Sequence, residues 1–567
     1  MQIRRHDLRF VSVFLFLIAC FGVFVVKLIL IQVFNSEHLA QLARKQHNQA
    51  IELEPVRGTI FDRNLRPLAL NIAVHSLYAN PRIMSPEDKQ RALEILPGLI
   101  GVEPEMLRER LGRDKFFVWI QRKLPVDLTE AVRAKKLRGL SFIDESKRFY
   151  PNGSLAAHVI GFADIDNKGL EGVELVYDRY LKGKAGQGIF LRDAKQRNLL
   201  LSKNFISPQD GMHVVLTIDE TIQYIAERAL DEAFVKNKAK SATIIVADPR
   251  SGEILALANR PTYDLEHVAQ SSVESRTNRA VSYVYEPGSV FKVVTASAAL
   301  EEKMFVETDE IFCENGKYRV ANHTLRDHHP HGTLTFREVF EKSSNIGVCK
   351  IAQQLGPEIV YNYGRRFRFG MPTQIELKGE VDGWLKDPSQ WSKTTISAIP
   401  MGHEVTVTPL QLLGALSAIA NDGYYMRLHI VKHIRDKYNQ VIKSTRPEIL
   451  DRVISEQTAH RVRDIMVGVV ENGTAKRAQI EGVKVAGKTG TAQKVIDGQY
   501  SHSQFYASFM AFAPADDPKL ACVVVFDEPR PSYFGGTVAA PVAKEVLENS
   551  LKYLNSTEVA QAEGSVH

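Results

Sequence analysis

The sequence predicts an α+β protein in which an antiparallel sheet covered by helices follows a mixed α/β module and a single N-terminal transmembrane helix. A predominantly apolar run with Lys27 near one end covers residues 10–34, which is long enough to cross a bilayer as a helix. Strand-like runs lie near both ends of residues 211–556, and helix-type apolar periodicity fills the stretch between them. Elements in this order favour an antiparallel sheet with helices on its faces.

The apolar run is predicted to anchor the chain in a membrane, with residues 1–9 as a cytoplasmic tip. The tip carries Arg4, Arg5 and Arg9, and basic residues flanking a membrane helix tend to stay on the cytoplasmic side. The remainder of the chain is then extracytoplasmic. A cleaved signal peptide is the alternative interpretation, but the run is long and lacks a small-residue cleavage site followed by a polar start.

Four further regions follow the membrane helix. Residues 35–55 are predicted to be a linker helix, because Leu39, Leu42 and Ala43 recur at helical spacing before a proline. Residues 56–210, with mixed strand and helix signals, form a non-catalytic pedestal module. Residues 211–556 form the sheet-and-helix domain, and the short polar segment 557–567 is predicted to be a disordered tail.

Local signals locate the main elements of the 211–556 domain. A helix is predicted to start at Asp219, a residue that favours the N-cap position. Residues 242–259 contain two strands around a Pro-Arg-Ser-Gly turn, and residues 505–529 contain a second pair. Another strand is predicted within residues 483–494.

Composition and charge exclude several classes of function. The 72 Lys and Arg residues exceed the 66 Asp and Glu residues by only 6, and without a dense basic stripe the chain is not predicted to bind nucleic acid. The four cysteines, at unrelated spacings, predict neither a disulfide framework nor a zinc site. The histidine-rich segment 326–332 is interrupted by Pro330 and is interpreted as a loop near the site. No metal and no cofactor are predicted.

Ser289 and Lys292 are candidate catalytic residues. They lie three positions apart after a Pro-Gly turn, in the segment YEPGSVFKVVTASAAL, and this spacing places both on one face of a helix. A serine is a weak nucleophile until a base removes its proton, and a lysine serves as that base only when its pKa is lowered. The alternative interpretation is a helix cap followed by a solvated lysine.

Two later motifs favour the catalytic interpretation. Ser343, Ser344 and Asn345 stand at a predicted helix start, where a plain N-cap is the alternative function. Lys488, Thr489, Gly490 and Thr491 lie in an apolar strand, an unusual place for a cation. The order SxxK, SxN and KTG is much more specific than any one of these motifs, and it is the signature of penicillin-interacting serine enzymes.

These three motifs resemble those of class B penicillin-binding proteins, specifically cell-division D,D-transpeptidases of the FtsI type. The resemblance covers nearly the whole chain: residues 57–69, 148–153 and 169–174 look like motifs of the non-catalytic module, and residues 401–411 are similar to the loop and helix before the third motif. The middle motif is Ser-Ser-Asn, where many β-lactamases carry Ser-Asp-Asn. The resemblance makes 211–556 a penicillin-binding transpeptidase domain.

The resemblance implies a role for each site residue. Ser289 attacks the penultimate D-Ala carbonyl of a peptidoglycan stem peptide and Lys292 takes its proton. Ser343 and Asn345 relay protons and hold the substrate amide, while Lys488 keeps Lys292 deprotonated. Thr489 and Thr491 bind the terminal carboxylate, and Gly490 lets the substrate backbone approach the strand. The N–H groups of Ser289 and Thr491 form an oxyanion hole.

The resemblance also implies location and partners. It predicts a single-pass protein of the inner membrane with a periplasmic catalytic domain, acylated by β-lactams and associated with an FtsW-type glycan polymerase and other division proteins. Three alternatives stay open: an elongation-specific class B transpeptidase, a D,D-carboxypeptidase in which water resolves the acyl-enzyme, and an inactive scaffold of the division machinery. His403 is interpreted as a structural residue, with lining of the cleft as the alternative.

Overall fold

The structure is a computed structural model that describes residues 5–34, 48–192, 198–200, 206–321 and 323–564 of the chain. The contacts divide it into two compact units. The smaller unit combines Met1–Val56 with Gly183–Asp210, and the larger unit combines Arg57–Lys182 with Gly211–His567.

The smaller unit begins with the predicted apolar helix. Helix α1 spans Arg5–Ile29 and continues as one π-helical turn over Leu30–Phe34. Its segment Phe10–Val33 is long and apolar enough to cross a membrane, and none of it is buried against the rest of the protein. It is the one helix with these properties among the described residues, and it confirms the prediction of an N-terminal apolar helix.

A three-stranded antiparallel sheet completes the smaller unit. Strand β1 is Asn48–Leu53 and pairs with β6, Gly186–Arg192, which pairs on its other side with β7, Asn198–Leu200. The predicted linker helix 35–55 is therefore wrong over β1, because these residues pair with a strand far along the chain, and no local pattern signals such pairing. Residues 35–47 of that prediction lie outside the described residues. Next to β6, Lys184 and Gln209 exchange two backbone hydrogen bonds of 2.8 and 2.9 Å.

The first part of the larger unit, Arg57–Lys182, is a mixed module. Its strands are β2 Ile60–Phe61, β3 Pro67–Ala79, β4 Val118–Leu124 and β5 Leu140–Phe149. Its helices are α2 Pro86–Ile100, α3 Pro104–Gly112, α4 Val126–Ala134, α5 Ala157–Ile160, α6 Gly172–Val176 and α7 Asp178–Leu181.

This module shares a sheet with the chain after Gly211. The sheet has seven strands, in which β3 pairs with both β4 and β5, and β2 pairs in parallel with β8 at His213–Leu216. Strands β18 Val431–Arg435 and β19 Val441–Ser444 extend the sheet beyond β8. Backbone hydrogen bonds thus join residues from both sides of the predicted boundary at 210/211.

The remaining elements build the sheet-and-helix domain. Its other strands are β9 Ser241–Ala247, β10 Ile254–Arg260, β11 Glu310–Phe312, β12 Lys317–Val320, β13 His323–Arg326, β14 Thr333–Thr335, β15 Trp384–Leu385, β16 Val405–Thr406, β17 Tyr424–Met426, β20 Ile449–Arg452, β21 Ala486–Ile496, β22 Gln499–Ala513 and β23 Leu520–Asp527. Its helices are α8 Glu220–Lys236, α9 Val273–Arg276, α10 Arg279–Ser282, α11 Lys292–Glu301, α12 Phe336–Glu341, α13 Asn345–Leu355, α14 Pro357–Arg366, α15 Thr395–Ala398, α16 Pro409–Ala420, α17 Glu456–Glu471, α18 Gly535–Val538 and α19 Ala540–Gly564.

The central sheet is antiparallel, in the order β10-β9-β23-β22-β21. Its strands alternate between two cores: Ile244 and Val246 of β9 belong to one buried cluster, and Ile245 belongs to the other. Both faces are therefore covered by helices, with α8 and α19 on one side and α16 on the other. This confirms the predicted architecture. Strand β21 lies at the edge of the sheet within the described chain.

Helix boundaries follow local chemistry where caps exist. The Asp219 side chain accepts hydrogen bonds from the backbone N–H groups of Thr221 and Ile222, as its position before α8 predicts. At the other end of the chain, helix α19 continues to Gly564, so the predicted disorder of 557–567 is wrong over 557–564. That segment contains no proline, and glycine is absent until Gly564, so nothing in it ends the helix earlier.

Candidate active site

The candidate nucleophile lies on a tight turn at the floor of an open cleft of about 940 Å³. Residues Gly288–Phe291 form a 3₁₀ turn, and helix α11 begins only at Lys292, so Ser289 precedes the α-helix and does not open it. Gly288 has a φ of +60°, and a Cβ there would lie 2.7 Å from the carbonyl oxygen of Thr491. This close approach brings the turn against strand β21. Ser289 is half-buried and lines the cleft.

Lys292 is fully buried one turn after Ser289. Its Nζ donates hydrogen bonds to the Ser343 carbonyl oxygen at 2.7 Å, to Ser343 Oγ at 3.2 Å and to Asn345 Oδ1 at 2.8 Å. Burial lowers the pKa of Lys292 to about 7, although the nearby Asp327 carboxylate acts in the opposite direction. An amine with such a pKa is substantially neutral near pH 7 and able to accept a proton.

The Ser-Ser-Asn motif combines a cap with a polar cluster. Ser344, the middle residue, is the N-cap of α13, and its Oγ accepts from the backbone N–H of Gly347 at 2.9 Å. Ser343, which holds a left-handed φ of 57°, and Asn345 turn their side chains to Lys292 instead. The capping interpretation is therefore confirmed for Ser344, while Ser343 and Asn345 stay candidate catalytic residues.

Lys488 reaches the same serine from strand β21. Its Nζ donates to Ser343 Oγ at 3.0 Å and to the Thr489 carbonyl oxygen at 3.3 Å. Burial, and then repulsion from Lys292, lowers the pKa of Lys488 well below that of a free lysine. Two buried amines therefore share one hydroxyl oxygen, which has the two lone pairs that both interactions require.

In the segment 489–491, the two threonines line the cleft, whereas Gly490 packs against neighbouring parts of the protein. Thr489 and Thr491 line the cleft; their Oγ1 atoms lie 2.7 Å from Thr474 Oγ1 and 3.3 Å from the Gly535 nitrogen, respectively. A Cβ at Gly490 would lie 2.3 Å from Ser508 Oγ and 2.8 Å from the Pro287 carbonyl oxygen. Gly490 therefore permits packing between the strand and the turn that carries Ser289, which differs from the predicted approach of a substrate backbone.

Asp327 is a functional candidate that sequence reasoning missed. Its carboxylate accepts from Ser344 Oγ at 2.6 Å, from the Asn345 nitrogen at 2.5 Å and from the Ile346 nitrogen at 3.0 Å. It thus fixes the start of α13, where the helix dipole favours a negative charge. Asp327 belongs to the histidine-rich loop 326–332, whose place near the site was predicted, but no spacing rule connects its carboxylate to Asn345.

The cleft also has an aromatic wall. The ring of Phe505 stacks on Tyr533 with centroids 4.0 Å apart, Tyr533 lies 4.5 Å from Phe534, and Phe534 lies 5.0 Å from His328. His403 lines the cleft as well, which was the alternative interpretation for this residue. Among the described residues, no group of three His, Cys, Asp or Glu side chains is arranged to hold a metal ion.

A serine on a turn, two buried amines that meet at a second serine, and a free sheet edge beside them define the class of serine acyl-transfer enzymes that react with penicillin. Comparisons with known proteins agree. The model of the penicillin-binding protein transpeptidase domain matches residues 242–548, and the model of the penicillin-binding protein dimerisation domain matches residues 52–216.

Individual relatives cover nearly the whole chain. It is 35% identical to the probable peptidoglycan D,D-transpeptidase PenA of Neisseria gonorrhoeae, over 88% of this chain and 85% of PenA. It is 31% identical to the peptidoglycan D,D-transpeptidase FtsI of Escherichia coli, over 93% and 88%. The crystal structure of penicillin-binding protein 3 from Mycobacterium tuberculosis, complexed with aztreonam, superposes with a TM-score of 0.70 at 28% identity, over 89% and 97%. The chain belongs to the class B penicillin-binding proteins, the family of peptidoglycan D,D-transpeptidases.

Proposed function

We propose that this transpeptidase cross-links stem peptides at the division septum through an acyl-enzyme on Ser289, and that penicillins acylate the same serine. The observation that carries the assignment is the meeting of the Lys292 and Lys488 amines at Ser343 Oγ, in a cleft that Ser289 lines. A buried amine with a lowered pKa is the group that an unactivated serine needs.

Acylation follows from this arrangement. Neutral Lys292 accepts the Ser289 proton as Oγ attacks the penultimate D-Ala carbonyl carbon of the stem peptide. The peptide bond to the terminal D-Ala breaks, and the proton returns to the departing amine through Lys292 and Ser343, whose Oγ lies 3.2 Å from the lysine nitrogen. In its protonated form Lys488 adds positive potential and disfavours protonation of Lys292, since two buried ammonium groups repel each other. Asn345 holds the lysine and the substrate amide.

Strand β21 supplies the substrate platform. As an edge strand it has backbone groups without a partner strand on one side, so an extended peptide is able to pair along it. Thr489 and Thr491 hold the terminal carboxylate. The backbone N–H groups of Ser289 and Thr491 stabilise the oxyanion, and the tight contact between Gly288 and Thr491 keeps them side by side.

The proposed location follows from the apolar helix and the family. The basic tip at 1–9 stays in the cytoplasm, α1 crosses the inner membrane once, and the catalytic domain works in the periplasm. An FtsW-type glycan polymerase and other division proteins are the proposed partners, and the domain limits 56–210 and 211–556 stay proposals for the pedestal and catalytic modules.

Labelling with a fluorescent penicillin tests the nucleophile. We expect Ser289→Ala to abolish covalent labelling, because the Ser343 hydroxyl, which also lines the cleft, is occupied by hydrogen bonds from both lysines, whereas Ser289 is the proposed nucleophile. The matched control is Ser297→Ala, since Ser297 lies on helix α11, directly after the turn that carries Ser289, but hydrogen-bonds to the Val293 carbonyl oxygen inside the core. Retained labelling of Ser289→Ala would contradict the assignment.

Two further measurements separate the proposed role from its alternatives. Incubation with a stem pentapeptide and an amine acceptor is expected to give amide product, whereas a D,D-carboxypeptidase gives only hydrolysis. A fluorescently tagged copy in dividing cells is expected at the septum. A sidewall signal would indicate the elongation role instead.

A further inference from the structure

A carboxylate–histidine pair lies in the cleft beside the turn that carries Ser289. His403 Nδ1 is 2.8 Å from Glu286 Oε2, and the two side chains are 24% and 12% exposed. A carboxylate only accepts hydrogen bonds, so Nδ1 carries a proton, and in the neutral form of the ring Nε2 holds the lone pair that accepts another. Within the described chain, Nε2 forms no hydrogen bond to another residue, and the ring lines the cleft.

Backbone contacts place this pair next to the nucleophile. The Gly288 nitrogen donates to the Gly402 carbonyl oxygen at 3.1 Å. A Cβ at Gly402 would lie 2.1 Å from the Gly288 carbonyl oxygen, so nothing larger than glycine allows this approach. The residues that follow these two glycines are Ser289 and His403, and both line the same cleft.

The surroundings of His403 carry excess negative charge. Glu286 also accepts from the Glu404 nitrogen at 3.0 Å and from the Tyr500 hydroxyl at 3.2 Å. The Glu404 carboxylate faces Lys386 Nζ at 3.3 Å. Glu286, Glu404, Lys386 and Tyr500 thus bring two carboxylates, one ammonium and one phenol to this side of the cleft, and the net negative charge attracts an incoming ammonium ion.

Cationic side chains line the cleft beside Thr474. Lys476 and Arg477 line it beside Thr474, the partner of Thr489, and neither forms an ion pair within the described residues. Tyr500, whose hydroxyl contacts Glu286, pairs with Val495 of β21. Val495 is six positions from Thr489, so these two backbone positions lie roughly 20 Å apart along the strand. A substrate with a carboxylate at one end and an incoming ammonium at the other matches this polarity.

We propose that His403, oriented by Glu286, removes a proton from the ammonium group of the acceptor stem peptide before that amine attacks the acyl-enzyme. Two protons leave the acceptor nitrogen in turn. The first passes to His403 Nε2 and then to solvent, which leaves a neutral amine. The amine attacks the ester carbonyl carbon, the bond to Ser289 Oγ breaks, and the second proton returns to Oγ through Lys292. The inference rests on Ser289 as the acylated residue.

A pair of acceptor amines tests this role. Propylamine arrives as an ammonium ion at pH 7, whereas methoxyamine is already neutral at that pH. With a synthetic pentapeptide ending in D-Ala-D-Ala as donor, we expect His403→Gln to lower the ratio of propylamide to methoxyamide product by about 100-fold, the usual contribution of a general base. Loss of a merely structural contact would lower both products together and leave the ratio unchanged.

The matched control is His460→Gln. His460 is also paired with a carboxylate, Asp422, at 2.8 Å, but it lies outside the cleft, so the native ratio is expected. Glu286→Gln is the second variant, and as a positioning change it is expected to lower the ratio about 10-fold while His403 stays in place. A native ratio in both His403→Gln and Glu286→Gln overturns the proposal.

Penicillin labelling of the same samples separates this proposal from the assignment of the nucleophile. Labelled enzyme with an unchanged ratio refutes only the role of His403. Labelling that survives Ser289→Ala refutes the assignment of Ser289 as the acylated residue, and the proposed role of His403 falls with it.

Discussion

At the scale of single residues, the site depends on opposing influences at Lys292. Burial removes water from its ammonium form and lowers the pKa to about 7, while the Asp327 carboxylate works to raise that pKa. Asp327 also caps helix α13 through two backbone N–H groups. One carboxylate thus sets both the position of Asn345 and the protonation of the base that Asn345 contacts.

Asp327→Asn is expected to shift the pH dependence of acylation to lower pH. Lys292 acts as a base only when neutral, so the acylation rate rises with pH through its pKa, near 7 in the native protein. The amide keeps the capping hydrogen bonds but removes the charge that raises this pKa, so the midpoint falls. The rate of penicillin acylation, measured from pH 5 to 9, gives the midpoint of this pH dependence.

The control for this change is Asp387→Asn, because Asp387 caps an exposed 3₁₀ turn through Ser389 and does not line the cleft. It is expected to leave the midpoint in place. A shift of the midpoint to higher pH in Asp327→Asn would contradict the proposed influence of Asp327 on Lys292.

At the scale of elements, the cleft depends on how closely β21 approaches the turn that carries Ser289. Gly490 faces that turn from the strand, and Gly288 faces the strand from the turn. Both positions exclude a side chain, because backbone oxygen atoms of the partner element occupy the space. Strand β21 and the turn approach this closely because neither glycine carries a Cβ atom.

Gly490→Ala is expected to push β21 away from the turn. The new Cβ would lie 2.3 Å from Ser508 Oγ and 2.8 Å from the Pro287 carbonyl oxygen, and overpacking of this kind costs about 1–3 kcal/mol. We expect a loss of acylation rate of roughly 10-fold or more, because oxyanion donors lose alignment. The rate of penicillin labelling, with thermal unfolding in parallel, measures both effects.

Gly98→Ala serves as the comparison. Gly98 lies in helix α2, and a Cβ there meets nothing within 4 Å, so the stability of the protein is expected to stay equal or to rise. Native labelling rates in Gly490→Ala would show that the strand tolerates the displacement, against our expectation.

Elements also show where sequence reasoning succeeds. The start of α8 was predictable because Asp219 caps it through neighbours two and three residues away. Strand β1 was not, because its partner β6 lies far along the chain and its own residues are compatible with a helix. In the site, the meeting of Lys488 with Ser343 was predictable only from the order of the three motifs, whereas the pairing of Glu286 with His403 had no sequence signal.

At the scale of the whole molecule, one sheet unites the module before residue 182 with the domain after residue 211. A buried ion cluster lies within the module before residue 182. The Glu174 carboxylate accepts from Arg57 Nε at 2.7 Å and from Arg148 Nε at 2.6 Å, and all three side chains are at most 3% exposed. Charges this deeply buried are tolerated only as a complete set.

Glu174→Gln is expected to destabilise the full-length protein by about 3–5 kcal/mol, because it leaves the buried Arg148 guanidinium without a countercharge and leaves Arg57 with Asp178 alone. Because the sheet is shared, we expect penicillin labelling and the far-ultraviolet circular dichroism signal to be lost at the same, lowered denaturant concentration. Urea unfolding of the detergent-solubilised chain measures both.

Asp114→Asn provides the reference, since the Arg82–Asp114 pair is exposed and its removal is expected to leave the unfolding midpoint unchanged. If Glu174→Gln lost its secondary structure in two separate steps, with labelling retained through the first, the two parts would not unfold as one body.

The double hydrogen bond between Lys184 and Gln209 has a consequence for how this chain can change over time. The segment between these residues leaves and rejoins the chain at a single point, but its strand β6 is also the partner of β1. Descendants of this gene can therefore change the length of the segment outside β6 at little entropic cost, whereas exchange of β6 itself removes the partner of β1.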